Sequence, residues 1–212
     1  MKNHETILVL DFGGQYNQLI ARRVRDLSVY CEVVHNDISI SEIKEKNPVG
    51  IIFTGGPSVV YEEDAPKVDP AIFELGVPIL GICYGAQLTA YTLGGKVEAS
   101  VKREYGKKEI QLSTESPIFS DLTAETSCWM SHTYHVTELP NGFTQIASTD
   151  SCANAAFASQ SKNIYCFQYH PEVNHTPQGN DMISNFLFKI CGCSGDWIMT
   201  NFINHTVDGL RK

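Results

Sequence analysis

Cys83 lies in Gly81-Ile82-Cys83-Tyr84-Gly85, directly after the apolar run Val77-Pro78-Ile79-Leu80. A nucleophile at this spacing, after an apolar strand, matches the strand-to-helix elbow of G-x-S-x-G enzymes with sulfur in place of oxygen. Glycines flank it because the turn is tight and larger side chains would clash. A second group comes from Gln168-Tyr169-His170-Pro171-Glu172, which follows the apolar stretch Tyr165-Cys166-Phe167. Pro171 biases His170 toward an extended backbone, and residues two apart in an extended segment point to the same side. Glu172 can then reach the imidazole, orient it and stabilise its protonated form. Thiol, base and orienting carboxylate form a set for attack on an amide or ester carbonyl. A helix N-terminus and a neighbouring imidazole both favour the thiolate. The oxyanion of the tetrahedral intermediate would be met by the backbone N–H of Tyr84 and by that of Gly56 in Gly55-Gly56-Pro57, each worth about 3 kcal/mol of barrier.

The elements that must hold these groups read as an α/β pattern. Thr6–Leu10, Tyr30–Val34, Gly50–Thr54 and Val77–Ile82 are short apolar runs that read as buried parallel strands. Between and after them, Gln15–Leu27, Ser41–Lys46 (with Ser41 as N-cap) and Tyr84–Leu93 read as helices. Alternation of strand and helix predicts a doubly wound sheet whose ligands bind beyond the strands' carboxyl ends. Asp11-Phe12-Gly13, Gly55-Gly56-Pro57 and Cys83 all fall there. The second half predicts short strands over Glu109–Leu112, Val136–Leu139, Thr144–Ser148, Ala153–Ala158 and Ile164–Gln168, adding antiparallel strands. Asp181–Cys191 reads as an amphipathic helix, and Trp197–Leu210 as a further one.

Composition narrows the classes. The chain has 212 residues, 42% hydrophobic, and a net charge of −8, which supports a single sizeable core and argues against a nucleic-acid-binding surface. It has no run of 18 apolar residues and no apolar segment after Met1 of the kind that directs secretion, so a cytoplasmic protein without a membrane span is expected. Seven scattered cysteines fit a reducing compartment with one working thiol. Cys191-Gly192-Cys193 lacks a second pair or a histidine at zinc spacing, so no metal is expected. His175 does not match zinc-protease helix spacing and reads as surface; His132 and His135 could line the pocket or be structural.

Taken together, Thr54-Gly55-Gly56-Pro57, Gly81-Ile-Cys-Tyr-Gly-Ala-Gln87 and Tyr169-His-Pro-Glu172 resemble, in order, the three signatures of the class I (triad) glutamine amidotransferases. Chain order separates them from the α/β-hydrolases, where the acid precedes the histidine. Within the family, Leu10–Tyr16, Ala21–Arg25, Val97–Ser100, Arg103–Gly106, Trp129–His132 and His170–Gly179 resemble the glutaminase domains of the GMP synthase branch. The resemblance implies a flavodoxin-like fold, a mostly parallel central sheet with helices on both faces and added antiparallel strands. It implies Cys83, His170 and Glu172 as catalytic residues, and Gly55, Gln87, Ser131, His132, Thr133 and Tyr134 as contacts to L-glutamine. It further implies hydrolysis of L-glutamine to glutamate and ammonia through a cysteine thioester. The ammonia would serve the amination of XMP on an ATP-pyrophosphatase (synthetase) domain or subunit that uses ATP and magnesium, in an enzyme expected to be a homodimer.

Two departures bear on this. Many family members read Ser-His-Gly-Asp where this chain has Ser131-His132-Thr133-Tyr134, which touches substrate-end contacts and coupling to the synthetase. No Ser-Gly-Gly-x-Asp-Ser pyrophosphate loop occurs. Residues 1–193 are therefore expected to form the amidotransferase domain, and 194–212 a tail or the start of a connection to a synthetase domain, with the chain a fragment or a small subunit. The competing functions are a subunit serving another acceptor, a stand-alone γ-glutamyl hydrolase and a non-catalytic regulatory module.

Overall fold

The computed structural model describes residues 4–197, leaving aside the side chains of 101–104. The elements are β1 (Thr6–Asp11), α1 (Asn17–Asp26), β2 (Tyr30–His35), α2 (Ile40–Lys46), β3 (Gly50–Phe53), β4 (Ile79–Ile82), α3 (Tyr84–Thr92), β5 (Lys96–Leu112), β6 (Glu125–Glu138), β7 (Thr144–Ser148), β8 (Ala156–Ser159), β9 (Ile164–Phe167) and α4 (Gly179–Ser184). They build one nine-stranded sheet in the order β2-β1-β3-β4-β9-β8-β7-β5-β6. The pairings from β2 through β9 are parallel, and those from β9 through β6 are antiparallel.

The parallel strands are apolar without alternation because both of their faces are covered. On one face Ile7, Val9, Ile52 and Leu80 meet Ile20, Ala21 and Val24 of α1 and Met182 and Ile183 of α4. On the other, Leu8, Leu10, Ile51 and Phe53 meet Ile43 of α2 and Leu88 and Ala90 of α3. The alternation expected of a strand thus sorts side chains between two cores. The α/β class, the helices on both faces and the added antiparallel strands are as the sequence predicts.

Several boundaries differ. The cap of α2 is Ser39, not Ser41: its hydroxyl accepts from the Glu42 N–H while the Glu42 carboxylate accepts from the Ser39 N–H, a reciprocal capping box. Ser41 lies inside the helix, with its hydroxyl 3.0 Å from that of Ser39. The short strands expected at 109–112 and 136–139 are the ends of the 17- and 14-residue strands β5 and β6. The strand expected from Ala153 begins at Ala156, and Asn154 instead caps the Val136 carbonyl. The helix expected at 181–191 starts at Gly179 and widens into a π-helical turn over Asn185–Ile190. The helix expected at 197–210 lies outside the described residues, apart from Trp197, which packs on Tyr30 and donates its backbone N–H to the Ser28 carbonyl. No described helix is long and apolar enough to cross a membrane.

Candidate active site

β4 and β9 are neighbours, with Ile82 opposite Phe167. Two segments far apart in sequence therefore leave the sheet side by side. Cys83 follows β4, and its N–H donates to the Phe167 carbonyl at 2.7 Å; His170 follows β9. Cys83 takes φ 52° and ψ −106°, a conformation that costs a non-glycine residue about 1–3 kcal/mol. The strain is held by close packing. A Cβ on Gly81 would lie 2.8 Å from the Gly85 carbonyl oxygen, and one on Gly85 would lie 2.6 Å from both the oxygen and Cβ of Phe53. The Gly85 N–H in turn donates to the Thr54 carbonyl at 3.1 Å. This is the strained elbow that the glycine spacing predicts.

Cys83 is 8% exposed and opens α3. Tyr84 is the first residue of that helix, so its N–H lacks an intrahelical acceptor and stands at the positive end of the helix dipole. Gly55 touches both reactive groups: a Cβ placed there would lie 3.4 Å from Cε1 of His170 and 3.7 Å from Cβ of Cys83. Sulfur and imidazole therefore share one cavity wall. A Cβ on Gly56 would lie 2.7 Å from the Phe12 carbonyl oxygen and 3.3 Å from the Tyr84 ring, so glycine is what permits this loop to approach the elbow.

His170 Nδ1 is 2.7 Å from Oε1 of Glu172, whose side chain is wholly buried. Burial is the largest influence on the His170 imidazole and disfavours its charge. The hydrogen bond and negative charge of Cys83, then those of Glu172, together outweigh it, and His170 titrates well above the ordinary histidine range. Both partners thus favour the protonated form of the ring. The Tyr16 ring meets it edge-on at 5.3 Å. Behind the pair, Arg23 of α1 donates to the Glu172 carbonyl at 3.0 Å and to Oδ1 of Asn174 at 2.6 Å, tying the segment to the helical layer.

A cavity of about 450 Å³ opens on these groups. Every site residue expected from the sequence lines it (Gly55, Gly56, Cys83, Tyr84, Gln87, Ser131, His132, Thr133, Tyr134 and His170) except Glu172, which stands behind His170. Gln87 Nε2 donates to the Tyr134 carbonyl at 2.7 Å and to Oε1 of Gln168 at 3.2 Å, joining the elbow helix to β6. The Cys83 thiol points at the Ser131 carbonyl, 3.9 Å away. Thr133 and Tyr134 take contacts of their own. The Thr133 hydroxyl is 2.9 Å from that of Tyr105, and Tyr134 meets Tyr61 edge-to-face. His135 does not line this cavity; it borders a separate hollow with Glu98 and Asp150. His175 is exposed and packs on Trp129. Tyr16 and Tyr105 are lining residues not singled out from the sequence. For Tyr16 a signal exists, since it ends the glycine turn beyond β1. Tyr105 is placed by its pairing opposite Ser131, which no local pattern announces. Among the described residues no group of three or more histidine, cysteine, aspartate or glutamate side chains could hold a metal ion.

A parallel-to-antiparallel sheet with a strained cysteine elbow, a histidine and a carboxylate at adjacent strand ends defines the class. Residues 8–190 match the family model "Glutamine amidotransferase class-I", and the chain belongs to that family. Over 209 residues it is 61% identical to a glutamine-hydrolysing GMP synthase of Caldicellulosiruptor saccharolyticus, covering 99% of this chain and 41% of that protein. Over 210 residues it is 57% identical to the enzyme of the same name from Acetivibrio thermocellus, with the same coverage. The chain thus spans about two-fifths of the length of these curated relatives. A solved structure from Thermoplasma acidophilum, described as that of a GMP synthase subunit, superposes with a TM-score of 0.81 at 34% identity, over 89% of this chain and 94% of its own.

Proposed function

We propose that this chain hydrolyses L-glutamine to glutamate and ammonia and supplies the ammonia for amination of XMP to GMP. The observation that carries the chemistry is the thiol, imidazole and buried carboxylate at one cavity, with His170 Nδ1 2.7 Å from Glu172. Similarity to GMP synthases over 99% of this chain supports the acceptor.

The Cys83 thiolate attacks the carboxamide carbon, and the carbonyl π electrons move to oxygen. The N–H groups of Tyr84 and Gly56 stabilise that oxyanion. The His170 imidazolium gives its proton to the departing nitrogen, the C–N bond breaks, and ammonia leaves a γ-glutamyl thioester. Neutral His170 then takes a proton from water as the oxygen attacks the thioester carbon. Collapse of the second tetrahedral intermediate breaks the C–S bond and releases glutamate and the thiolate. Glu172 holds the ring with Nδ1 toward itself, which leaves Nε2 for these transfers. Gly55, Gln87 and the segment 131–134 hold the amino-acid end of glutamine.

On this reading residues 1–193 are the glutaminase domain, and 194–212 begin a connection to, or a contact with, an ATP-pyrophosphatase partner. The family match over 8–190 supports the first part. ATP and magnesium belong to that partner. The test is release of ammonia and glutamate from glutamine, with and without a synthetase partner. The wild-type chain is expected to turn over weakly alone, and Cys83→Ala to lose about 10³-fold or more. Equal turnover by the two proteins would end the assignment.

A further inference from the structure

The segment that carries His170 and Glu172 runs on through Thr176 before α4 begins. Thr176 is 3% exposed. Its hydroxyl donates to the His170 carbonyl at 2.7 Å and accepts from the Trp129 N–H at 3.0 Å. The His170 N–H donates to the Trp129 carbonyl at 3.0 Å. In an ordinary antiparallel bridge the Trp129 N–H would donate straight to the His170 carbonyl. Here one hydroxyl is inserted into that arm. A threonine hydroxyl has a single proton, and it is committed to His170, so the direction of the relay is fixed.

Trp129 stands two residues before Ser131 on β6, the strand whose segment 131–134 lines the cavity. Thr176 is itself held on both sides. Its N–H donates to the Val173 carbonyl at 3.1 Å, and its own carbonyl accepts from the Gly179 N–H at 2.9 Å. Gly179 packs so closely on the Pro171 carbonyl that a Cβ there would overlap it. The loop from His170 to Gly179 is therefore a closed clasp, and Thr176 is the buried side chain by which it hydrogen-bonds to the neighbouring strand, beside the packing of His175 on Trp129.

We propose that Thr176 is a positioning residue, whose hydroxyl sets the spacing between the His170 imidazole and the β6 segment that holds the amino-acid end of the substrate. This rests on the glutaminase function proposed above. Valine has the shape of threonine without the hydroxyl. It would leave the Trp129 N–H and the His170 carbonyl unpaired in a buried place, and the histidine segment would shift to repair them. Displacements of about 1 Å in such geometry can cost on the order of 10²-fold in rate.

The experiment compares Thr176→Val and Thr176→Ser in the full chain, by glutamine hydrolysis and by NMR titration of the His170 ring. Thr176→Val is expected to lower kcat by about tenfold or more, with KM changed by less than about threefold. It should also move the His170 midpoint down toward the ordinary value. Thr176→Ser is expected to stay within about twofold of wild type in kcat and to keep the midpoint. Should Thr176→Val fail to fold, Thr176→Ala, which removes the hydroxyl without setting a methyl against the two backbone groups, takes its place with the same expectations. The titration does not depend on the substrate, so if wild type and Cys83→Ala turn over equally, the glutaminase function falls and the His170 midpoint alone decides the role of Thr176. A Thr176→Val protein with wild-type kcat and midpoint would overturn the proposal. So would a Thr176→Ser protein as impaired as Thr176→Val, because the effect would then come from the methyl group.

Discussion

The two walls of the cavity are held by different means. The elbow wall is fixed by backbone packed against backbone: Gly81, Gly85 and Gly56 each sit where a single added carbon would lie 2.8 Å or less from a main-chain oxygen. The β6 wall is fixed by hydrogen bonds: a backbone ladder to β5, irregular between Ala99 and Glu104, and side-chain bonds from Gln87 to the Tyr134 carbonyl, between Tyr105 and Thr133, and through Thr176. Steric walls hold a strained nucleophile to a fraction of an ångström, because overlap energy rises steeply. Hydrogen-bonded walls tolerate exchange of one side chain for another. That is a physical reason why Thr133 and Tyr134 can stand at a position where many family members read Gly-Asp while the elbow pentapeptide keeps its pattern.

The largest expected effect lies in the elbow wall. Gly85→Ala should destabilise the fold by about 3 kcal/mol, read as a lower denaturant midpoint, and should abolish glutamine turnover with it. A Gly85→Ala protein of wild-type stability would break the contrast at its strong end. Next comes Glu172→Gln, which keeps the shape of the orienting group and removes its charge. Turnover should fall about 10²-fold with KM nearly unchanged. The same variant sharpens the electrostatic account. The folded-state pKa of His170 is raised, so its charged form contributes stability that is complete below about 6.5 and is lost as pH rises through the raised value. Removing the Glu172 charge should move that loss to lower pH, visible in NMR titration of the ring. An unmoved midpoint would leave Cys83 as the sole support. The smallest effect belongs to the β6 wall: Tyr105→Phe removes one exposed hydroxyl contact and should change stability by less than about 0.5 kcal/mol, with kcat unaltered. A severe loss there would show that hydrogen-bonded wall to be as rigid as the elbow.

The same contrast explains what was legible in the sequence. Strands β1, β3 and β4 are buried on both faces, so their apolar runs stand out, and the proposed catalytic residues follow strand ends at once. Cys83, His170 and Glu172 needed only local spacing, and neighbouring strands brought them together. The length of β5 was hidden because Lys107, Lys108 and Glu109 are three charged residues in a row, which breaks the apolar–polar alternation by which a half-solvated strand is read. Tyr105 and Thr176 were hidden for a related reason: each acts on a residue distant in sequence, Tyr105 on Thr133 and Thr176 on Trp129. Ser39 was missed in favour of Ser41 because two serines offer rival caps, and only Glu42 three residues after Ser39 completes the reciprocal pair. The widening of the last helix at Asn185 follows no residue-level rule; Asn185 turns its amide to the Ile118 and Ser120 carbonyls there.

The most direct measurement is mass spectrometry of the chain quenched in acid during turnover of L-glutamine. A γ-glutamyl group should be found on Cys83 in wild type, and no adduct should form in a Cys83→Ala protein. Steady turnover with no adduct under conditions that preserve thioesters, or an adduct on any other of the seven cysteines, would contradict the account.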